Sequence, residues 1–278
     1  MNINWEAKSR AFQCIDAFSL HKTLYFAQKY LTRRSQVDIS TGYRHWMAHR
    51  NNLAALECPD VFEFGAGKNL AQNIFLSQYF RSQTVVDLYP MLNIDLVNDA
   101  ASQISKCYPS ITYKAMENSS YLERYYNIRY IAPLDAAKTP FDDNTFDACI
   151  STDTLEHIPV NSILSIFKEL RRIIRPGGLI SAVIDYSDHY SYTDRNIGPL
   201  NCLQYSADEF KKYNHIVHYQ NRLRHYDYAR LFGALGLRLV KMEATDIAQL
   251  PTRIASEFDQ SEPSLRAQRG VFLLQNTK

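Results

Sequence analysis

Two patterns of apolar and polar residues divide the chain. Up to residue 56, apolar side chains recur every three or four positions, which predicts a first helix and then a second helix over 41–56. The apolar positions of the first helix are Ala11, Phe12, Ile15, Phe18 and Tyr25. From residue 60 onward, short apolar runs alternate with helical patterns. We therefore predict a helical extension over 1–58 and one large domain over 59–278.

The short apolar runs predict seven strands. They cover 61–64, 84–88, 128–132, 146–151, 178–185, 237–244 and 270–276. The helices predicted between them include 69–80, 161–174 and 225–235, and the Pro-Gly-Gly run at 176–178 ends the second of these. Strands that alternate with helices predict βαβ units and a mostly parallel sheet, hence an α/β fold.

Residues 186–224 interrupt this alternation. The segment is polar and has no clear period, and the slightly longer range 186–228 holds eight of the 19 tyrosines and four of the eight histidines. Tyrosine rings stack on sugar or aromatic rings, while tyrosine hydroxyls and histidine nitrogens form hydrogen bonds with hydroxyl groups. The segment is therefore a candidate acceptor-binding surface or, alternatively, a tyrosine-rich packing loop over the sheet edge.

Composition excludes several classes of protein. The 278 residues are 46% hydrophobic and 22% charged, as in a folded globular protein. The net charge of +2 provides no strong attraction to nucleic acid or to an anionic membrane. No apolar run is long enough for a membrane span, and the first residues do not resemble a signal peptide. Five separated cysteines without a CxxC pair predict free thiols in a reducing cytoplasm.

A glycine turn is the first candidate for binding chemistry. Gly65 and Gly67 follow the first predicted strand, so a ligand could approach the backbone at the start of the next helix. Asp87 ends the next strand, 20 residues after Gly67, where a carboxylate can accept hydrogen bonds from both ribose hydroxyls of an adenosine ligand. The alternative is an ordinary turn followed by an aspartate that caps another turn.

Two residues discriminate between adenosine cofactors. A dinucleotide-binding turn would carry a small residue at the third position of its glycine pattern, but Leu70 stands there. Glu63 is a carboxylate inside an apolar strand, and it suits a cationic amine better than a pyrophosphate. Both features favour S-adenosyl-L-methionine (SAM) over NAD.

An ordered set of motifs then resembles a known family. The motifs are VFEFGAG, VVDL, LDAAKTPFDDNTFDACISTDTLEHI and FKELRRIIRPGGLI. In this order they resemble class I SAM-dependent methyltransferases, in particular the broad type 11 group, over about residues 60–185. The resemblance implies a Rossmann-like fold with a mostly parallel seven-stranded sheet and helices on both faces. It also implies that 186–224 is an acceptor-lid insertion after the fifth strand.

The resemblance assigns SAM contacts residue by residue. Glu63 would lie near the methionine end, and Asp87 with Leu88 would hold the ribose. The remaining implied cofactor contacts are Gly65, Ala66 and Gly67 along the path of the methionine, Asp135 and Ala136 at the adenine, and Ser151 near the methionine moiety.

Candidate catalytic residues follow the fourth and fifth strands. The chain has no Asn/Asp-Pro-Pro-Tyr/Phe motif after the fourth strand, which counts against methylation of nucleic-acid bases or glutamine. His157 or His189 could act as a general base, and Asp185 could orient either imidazole. Asp185, Asp188 and His189 could also bind a divalent metal ion, but their spacing matches no metal motif, so no metal is predicted.

These features predict a cytoplasmic SAM-dependent O-methyltransferase that acts on a sugar, a polysaccharide precursor or another hydroxylated small molecule. The DYSDHYS segment and the residues after it are similar to methyltransferases associated with bacterial surface-polysaccharide gene clusters. The alternatives are N- or carboxyl-methylation of a small molecule and a non-catalytic SAM-fold binding protein. No nucleic-acid partner is expected, and the helices of 1–58 could cap the acceptor site or form a homodimer contact.

Overall fold

The computed structural model describes residues 2–18, 37 and 39–278. The helices of these ranges are α1 Trp5–Ala17, α2 Ile39–Asn52, α3 Ala71–Leu76, α4 Ile94–Cys107, α5 Ser120–Tyr126, α6 Val160–Ile173, α7 Ala207–Phe210 and α8 His225–Ala234. The strands are β1 Asp60–Phe64, β2 Ser82–Val86, β3 Ile128–Ile131, β4 Phe146–Thr152, β5 Ile174–Asp185, β6 Leu237–Ile247 and β7 Ala267–Asn276.

The seven strands form one sheet in the order β3-β2-β1-β4-β5-β7-β6. The pairs from β3 to β5 are parallel, whereas β7 runs antiparallel to both β5 and β6. The predicted Rossmann-like, mostly parallel sheet is therefore confirmed. β1 pairs with β2 on one side and with β4 on the other, so the order in which strands are added to the sheet reverses at β1. Ligands of such sheets bind beyond the carboxyl ends of the strands at this point.

Helices cover both faces of the sheet. One apolar core packs α2, α3 and α4 against the sheet, and Trp46, Phe75 and Ile104 are buried in it. The other core packs α6 and α8 against the opposite face, through Phe167 and Phe232. Successive strand residues point to opposite faces of the sheet and so belong to different cores. In β4, Ile150 is buried in the first core and Cys149 in the second.

The two described helices of the predicted extension pack differently. Trp5 of α1 contacts the rings of Tyr190, Tyr205 and Tyr213, so α1 packs against the 186–224 segment. The second helix begins at Ile39 and ends at Asn52, whereas the sequence predicted 41–56. It lies on the sheet, where both His49 and Asn52 form hydrogen bonds with Ser181 of β5. Tyr25 lies outside the described residues.

The 186–224 segment shares a small apolar core with the β6–β7 connection. Leu200, Leu203 and Phe210 are buried there together with Phe258 from the β6–β7 connection. Arg224 is fully buried and donates hydrogen bonds to backbone carbonyls of the neighbouring segments, those of Tyr186, Leu265 and Ala267. Residues 186–224 show no helical period in their sequence because this core is built from short turns and from side chains distant in the sequence. It does not contain one long helix.

The cysteines and the helix lengths bear on two further expectations. All five cysteines are free thiols, as predicted. Among the residues that the structure describes, no helix has the length and apolar character that crossing a bilayer requires.

Candidate functional site

Three cavities meet at the carboxyl ends of β1, β2 and β4. The first has a volume of about 740 Å³ and lies along Gly65, Gly67 and Asp87. The second, of about 930 Å³, lies between α2 and the ends of β5 to β7. The third, of about 250 Å³, lies beside Glu63. Asp153 lines all three cavities, and His157 lines the first and the second. A ligand in the first cavity could therefore reach a different molecule that is bound in the second cavity.

The turn after β1 requires glycine for two separate reasons. Gly65 has a φ of +77° and Gly67 a φ of +76°, in the left-handed region that favours glycine. A Cβ on Gly65 would lie 2.4 Å from Cγ2 of Thr154, whereas a Cβ on Gly67 would meet no atom within 4 Å. Thr154 is held in place because its hydroxyl donates to the carbonyls of Gly65 and Thr152. The glycines thus permit both the turn and a close contact between the first and fourth strand ends.

Alanine at these two positions should have unequal effects. Gly67→Ala should lower the free energy of unfolding by about 1–2 kcal/mol, the cost of a left-handed residue with a Cβ. Gly65→Ala should lower it by roughly a further 1–3 kcal/mol, because Thr154 must also be displaced. Thermal unfolding of both variants measures the difference. Equal melting temperatures for the two variants would contradict the contact with Thr154.

Asp87 is a buried carboxylate at the wall of the first cavity. It is 4% exposed and lies immediately beyond β2, which ends at Val86 instead of the predicted residue 88. Burial raises the pKa of Asp87 to about 6, although hydrogen bonds from the Tyr130 hydroxyl and the Gly67 N–H oppose this shift. The Tyr130 oxygen lies 2.9 Å from the carboxylate and orients it. Leu88, next along the chain, is 55% exposed and offers apolar surface to a ligand.

Asp135 and Ala136 lie at the other side of the same cavity. Asp135 accepts a hydrogen bond from the Ala137 N–H over 2.8 Å through one carboxylate oxygen, Oδ1. Its side chain is exposed, and Ala136 beside it is buried. A carboxylate held by its own turn, next to an apolar surface, can recognise an amino group on a planar ring.

Glu63 contacts the helix that follows it. Its buried carboxylate accepts hydrogen bonds from Gln72 Nε2 at 3.1 Å and Asn73 Nδ2 at 2.5 Å. Burial raises the pKa of Glu63 to about 8 despite these bonds. Ala66 lines the same third cavity. Ser151 is buried within β4 and lines none of the three cavities, while its neighbour Thr152, on the opposite face of the strand, lines the third.

His157 is presented to the second cavity in a fixed orientation. Its Nδ1 lies 2.9 Å from the carbonyl oxygen of Tyr219, which assigns the proton to Nδ1 and leaves Nε2 as an acceptor. His157 is exposed as a whole residue, yet partial burial of its ring lowers its pKa, and His189 lowers it further. The imidazole is therefore neutral near pH 7 and able to take a proton.

Asp185 and His189 stand beside this ring. The ring centroids of His157 and His189 are 4.7 Å apart, and His189 Nε2 lies 3.6 Å from Asp185 Oδ2. Burial opposes ionisation of Asp185. Interactions with His189, the Tyr192 hydroxyl and the Ser187 N–H are stronger than this effect, and they hold the pKa of Asp185 well below its usual value. Asp185 is thus ionised, and the three predicted catalytic residues lie together.

The sequence analysis missed several residues of the second cavity. Glu156, His45, Asp153 and Arg269 all line it. Glu156 directly precedes His157 and could have been considered with it. His45 lies on α2, where the sequence pattern predicts a helix and no site. Asp153 and Arg269 form an ion pair at 2.7 Å between residues 116 positions apart, which no local pattern reveals.

Comparison with known proteins agrees with this geometry. Residues 62–182 match the family described as "Methyltransferase domain". No curated protein matches the chain. Among solved structures, a chain from the complex of the Haloferax volcanii Trm112 methyltransferase activator with a methyltransferase is 15% identical, with a TM-score of 0.51 over 86% of this chain and 92% of that one. At this identity the likeness shows the fold.

Two further structures have TM-scores below 0.5. The N-methyltransferase NodS from Bradyrhizobium japonicum, in complex with S-adenosyl-L-homocysteine, is 14% identical, with a TM-score of 0.47 over 85% of this chain and 87% of that one. The geranyl diphosphate C-methyltransferase from Streptomyces coelicolor is 12% identical, with a TM-score of 0.49 over 84% and 79%. The domain match and the strand order support a class I SAM-dependent methyltransferase, with SAM as its cofactor.

Proposed function

We propose that this chain transfers the methyl group of SAM to a hydroxyl group of a small molecule of the sugar or polysaccharide-precursor class. The observation that carries the proposal is the position of His157. It lines both the first and the second cavity, and its Nε2 is free to accept a proton because Nδ1 is bonded to the Tyr219 carbonyl. A base at this junction can act on a hydroxyl that meets the SAM methyl group.

The first and third cavities are proposed to hold SAM. Asp87 would accept hydrogen bonds from the ribose hydroxyls, with Leu88 beside them. Asp135 and Ala136 would contact the adenine, and the Gly65–Gly67 turn would line the path to the methionine. Glu63 would act at the methionine end mainly through the amides of Gln72 and Asn73, since both are bonded to its carboxylate.

The proposed reaction is a single displacement. A lone pair on the acceptor oxygen attacks the methyl carbon, and the new C–O bond forms as the C–S bond breaks. The electron pair of that bond stays on sulfur, so the sulfonium becomes the neutral thioether of S-adenosyl-L-homocysteine. The acceptor proton passes to His157 Nε2, and the resulting imidazolium is stabilised by the nearby carboxylate of Asp185.

The lining of the second cavity supports a polyhydroxylated acceptor. Tyr192 is 62% exposed, and its ring stacks on His189 at a centroid distance of 5.3 Å. An exposed aromatic ring next to carboxylate and imidazole groups can contact a sugar face and bind its hydroxyls. His45 and Arg269 add donors at the other side of the cavity.

Charge in the second cavity favours an amine as the second candidate acceptor. Five carboxylic residues line this cavity, together with two arginines and three histidines. The five are Asp153, Glu156, Asp185, Glu243 and Asp246. Burial raises the pKa of Glu156 and keeps it neutral, but the other four acids still outnumber the two arginines. They would attract a cationic amine, which would need only deprotonation and positioning before methylation.

A panel of acceptors distinguishes these functions. The purified chain would be incubated with SAM labelled in its methyl group and with free sugars, nucleotide-linked sugars and small polyamines. Label transfer to the sugars would support the proposal, whereas transfer to the amines alone would replace it with N-methylation. SAM binding without label transfer to any member of the panel would favour a non-catalytic SAM-fold binding protein.

SAM affinity should depend on pH through Asp87. The pKa of about 6 in the free protein means that the ionised form, which accepts two hydrogen bonds from ribose, dominates above pH 6 and is lost as the pH falls through that value. At pH 5 roughly nine in ten of these carboxyls carry a proton, so the affinity should be up to about tenfold lower than at pH 7.5. Calorimetric titrations at the two pH values measure this change. Asp87→Asn is the control, and an unchanged pH slope in that variant would contradict the assignment.

We also propose that 186–224 acts as a lid over the acceptor. Tyr192 and His189 of this segment line the second cavity, and residues 186–200, which carry them, form turns without a helix or strand. Its amides should exchange with solvent faster than those of β5, and they should slow when SAM and acceptor bind. Hydrogen-exchange mass spectrometry measures both rates. Exchange as slow as in β5, with no response to ligands, would exclude a lid.

A further inference from the structure

Glu156 is an acidic residue of the second cavity with an unusual environment. Its side chain lines the cavity, yet the residue is 2% exposed. Neither carboxylate oxygen has a hydrogen-bond partner in another residue of the described ranges. Buried carboxylates are normally hydrogen-bonded, paired with a cation or bound to a metal ion, because an isolated charge in such a place is costly. Burial and the neighbouring Asp153 raise the pKa of Glu156 well above its usual value, so without a cation the side chain is a neutral acid, and a bound metal ion would replace its proton.

Two imidazoles stand beside this carboxylate. One ligand atom each from Glu156, His157 and His189 lie within 4.8 Å of one another. His189 Nε2 is also buried, and its distance of 3.6 Å from Asp185 Oδ2 is longer than a normal hydrogen bond. Nitrogen and oxygen ligands of transition metals lie about 2.0–2.2 Å from the ion, so three atoms around one ion are about 3–4 Å apart. Small side-chain adjustments would bring the three groups to that spacing.

The outer contacts of His157 match those of a metal ligand. Imidazole ligands almost always donate their second ring N–H to a carbonyl or carboxylate, which fixes the ring and its tautomer. His157 Nδ1 lies 2.9 Å from the Tyr219 carbonyl oxygen, so the lone pair of Nε2 is the one presented to the cavity.

The local charge is also suited to a cation. Asp185 Oδ2 lies 3.6 Å from His189 Nε2, and Asp153 lines the same cavity. Arg269 compensates part of this charge through its bond to Asp153. The ionised carboxylate of Asp185 remains without an arginine or lysine partner among the described ion pairs.

We propose that Glu156, His157 and His189 bind one divalent transition-metal ion of the Zn²⁺, Co²⁺ or Mn²⁺ type. Two imidazoles and one carboxylate favour such ions over Mg²⁺, which prefers oxygen ligands. The site differs from the Asp185, Asp188 and His189 set that the sequence raised. Asp188 is buried and accepts hydrogen bonds from Asn201 and the Tyr190 N–H, and it does not line the second cavity.

Three protein ligands leave coordination positions open toward the cavity. This chemical use of the ion rests on the proposed methyl transfer, whereas the binding does not. An acceptor hydroxyl bound to an open position would lose its proton to solvent more readily, and its oxygen would then take the methyl group with the bond changes given above. The ion and the proton compete for His157 Nε2, so the metal-loaded and metal-free states differ in which group promotes deprotonation.

Cobalt is the most informative probe. The chelator-treated, full-length protein would be titrated with Co²⁺ alone, and binding would be followed by its visible absorption bands and by calorimetry. We expect one Co²⁺ per chain, displacement by Zn²⁺, and no displacement by an equal concentration of Mg²⁺. Glu156→Gln and His189→Gln should each weaken Co²⁺ binding at least about tenfold. His45→Gln, which changes a histidine of the same cavity outside the cluster, should leave the affinity unchanged.

Two outcomes would overturn the metal site. One is the absence of stoichiometric Co²⁺ binding by the wild-type chain, and the other is unchanged binding in both cluster variants. Circular dichroism and SAM calorimetry on each protein show that it is folded. Because metal binding is measured without turnover, its failure leaves the base function of His157 standing, and failure of methyl transfer in the acceptor panel leaves the metal result intact.

Discussion

Replacing His157 with alanine should lower the turnover of methyl transfer by at least about 100-fold while SAM affinity stays nearly unchanged. An alcohol has a pKa far above 7, so its proton must leave as the methyl group arrives, and general-base assistance is worth roughly 10²–10⁴ in rate. Steady-state turnover with the true acceptor, or with the sugar panel and labelled SAM, measures the loss. Calorimetry with SAM measures the unchanged binding.

Two variants sharpen this test. His189→Ala removes the neighbouring imidazole, and the double variant removes both candidate bases. His218→Ala is the matched control, because its ring contacts that of His189 at a centroid distance of 6.1 Å but does not line the second cavity. If both single variants and the double variant keep near wild-type turnover, the base lies elsewhere. Methylation of an amine or a carboxylate, which needs less assistance, would then be the better proposal.

Replacing Asp87 with alanine should weaken SAM binding by about 10- to 100-fold. The variant loses hydrogen bonds between the ribose and a charged group, which contribute about 1.5–3 kcal/mol. The Tyr130 hydroxyl would also lose the carboxylate to which it donates. Calorimetry at pH 7.5 measures the change in affinity.

The control for this variant is an aspartate away from the cavities. Asp142→Ala removes an exposed carboxylate that lines none of the three cavities, so it should bind SAM like the wild-type protein. Equal SAM affinities for the Asp87 and Asp142 variants would show that the ribose is held elsewhere.

The cofactor side of the site follows from local sequence patterns. Gly65 and Gly67 stand directly after a strand, and Asp87 stands at the end of the next one, so the topology of a parallel sheet is enough to bring them together. Local patterns do not place Ser151 correctly. A shift of one position along β4 exchanges the faces of the strand, and Thr152, instead of Ser151, lines the third cavity.

The acceptor side depends on contacts between distant parts of the chain. The isolation of the Glu156 carboxylate is a property of the folded environment and leaves no trace in the residues next to it. His157 owes its tautomer to Tyr219, which is 62 positions away. The core around Leu203 and Phe210 forms only when the β6–β7 connection closes over it. Neither periodicity nor spacing encodes such tertiary contacts.

Calorimetric titration of the wild-type protein with SAM, and separately with NAD, tests the central claim most directly. The geometry from Glu63 to Asp135 predicts one SAM per chain with an affinity in the micromolar range as an order of magnitude, and no measurable binding of NAD. Binding of NAD together with no binding of SAM would contradict the assignment of the first and third cavities, and with it the proposed methyl transfer.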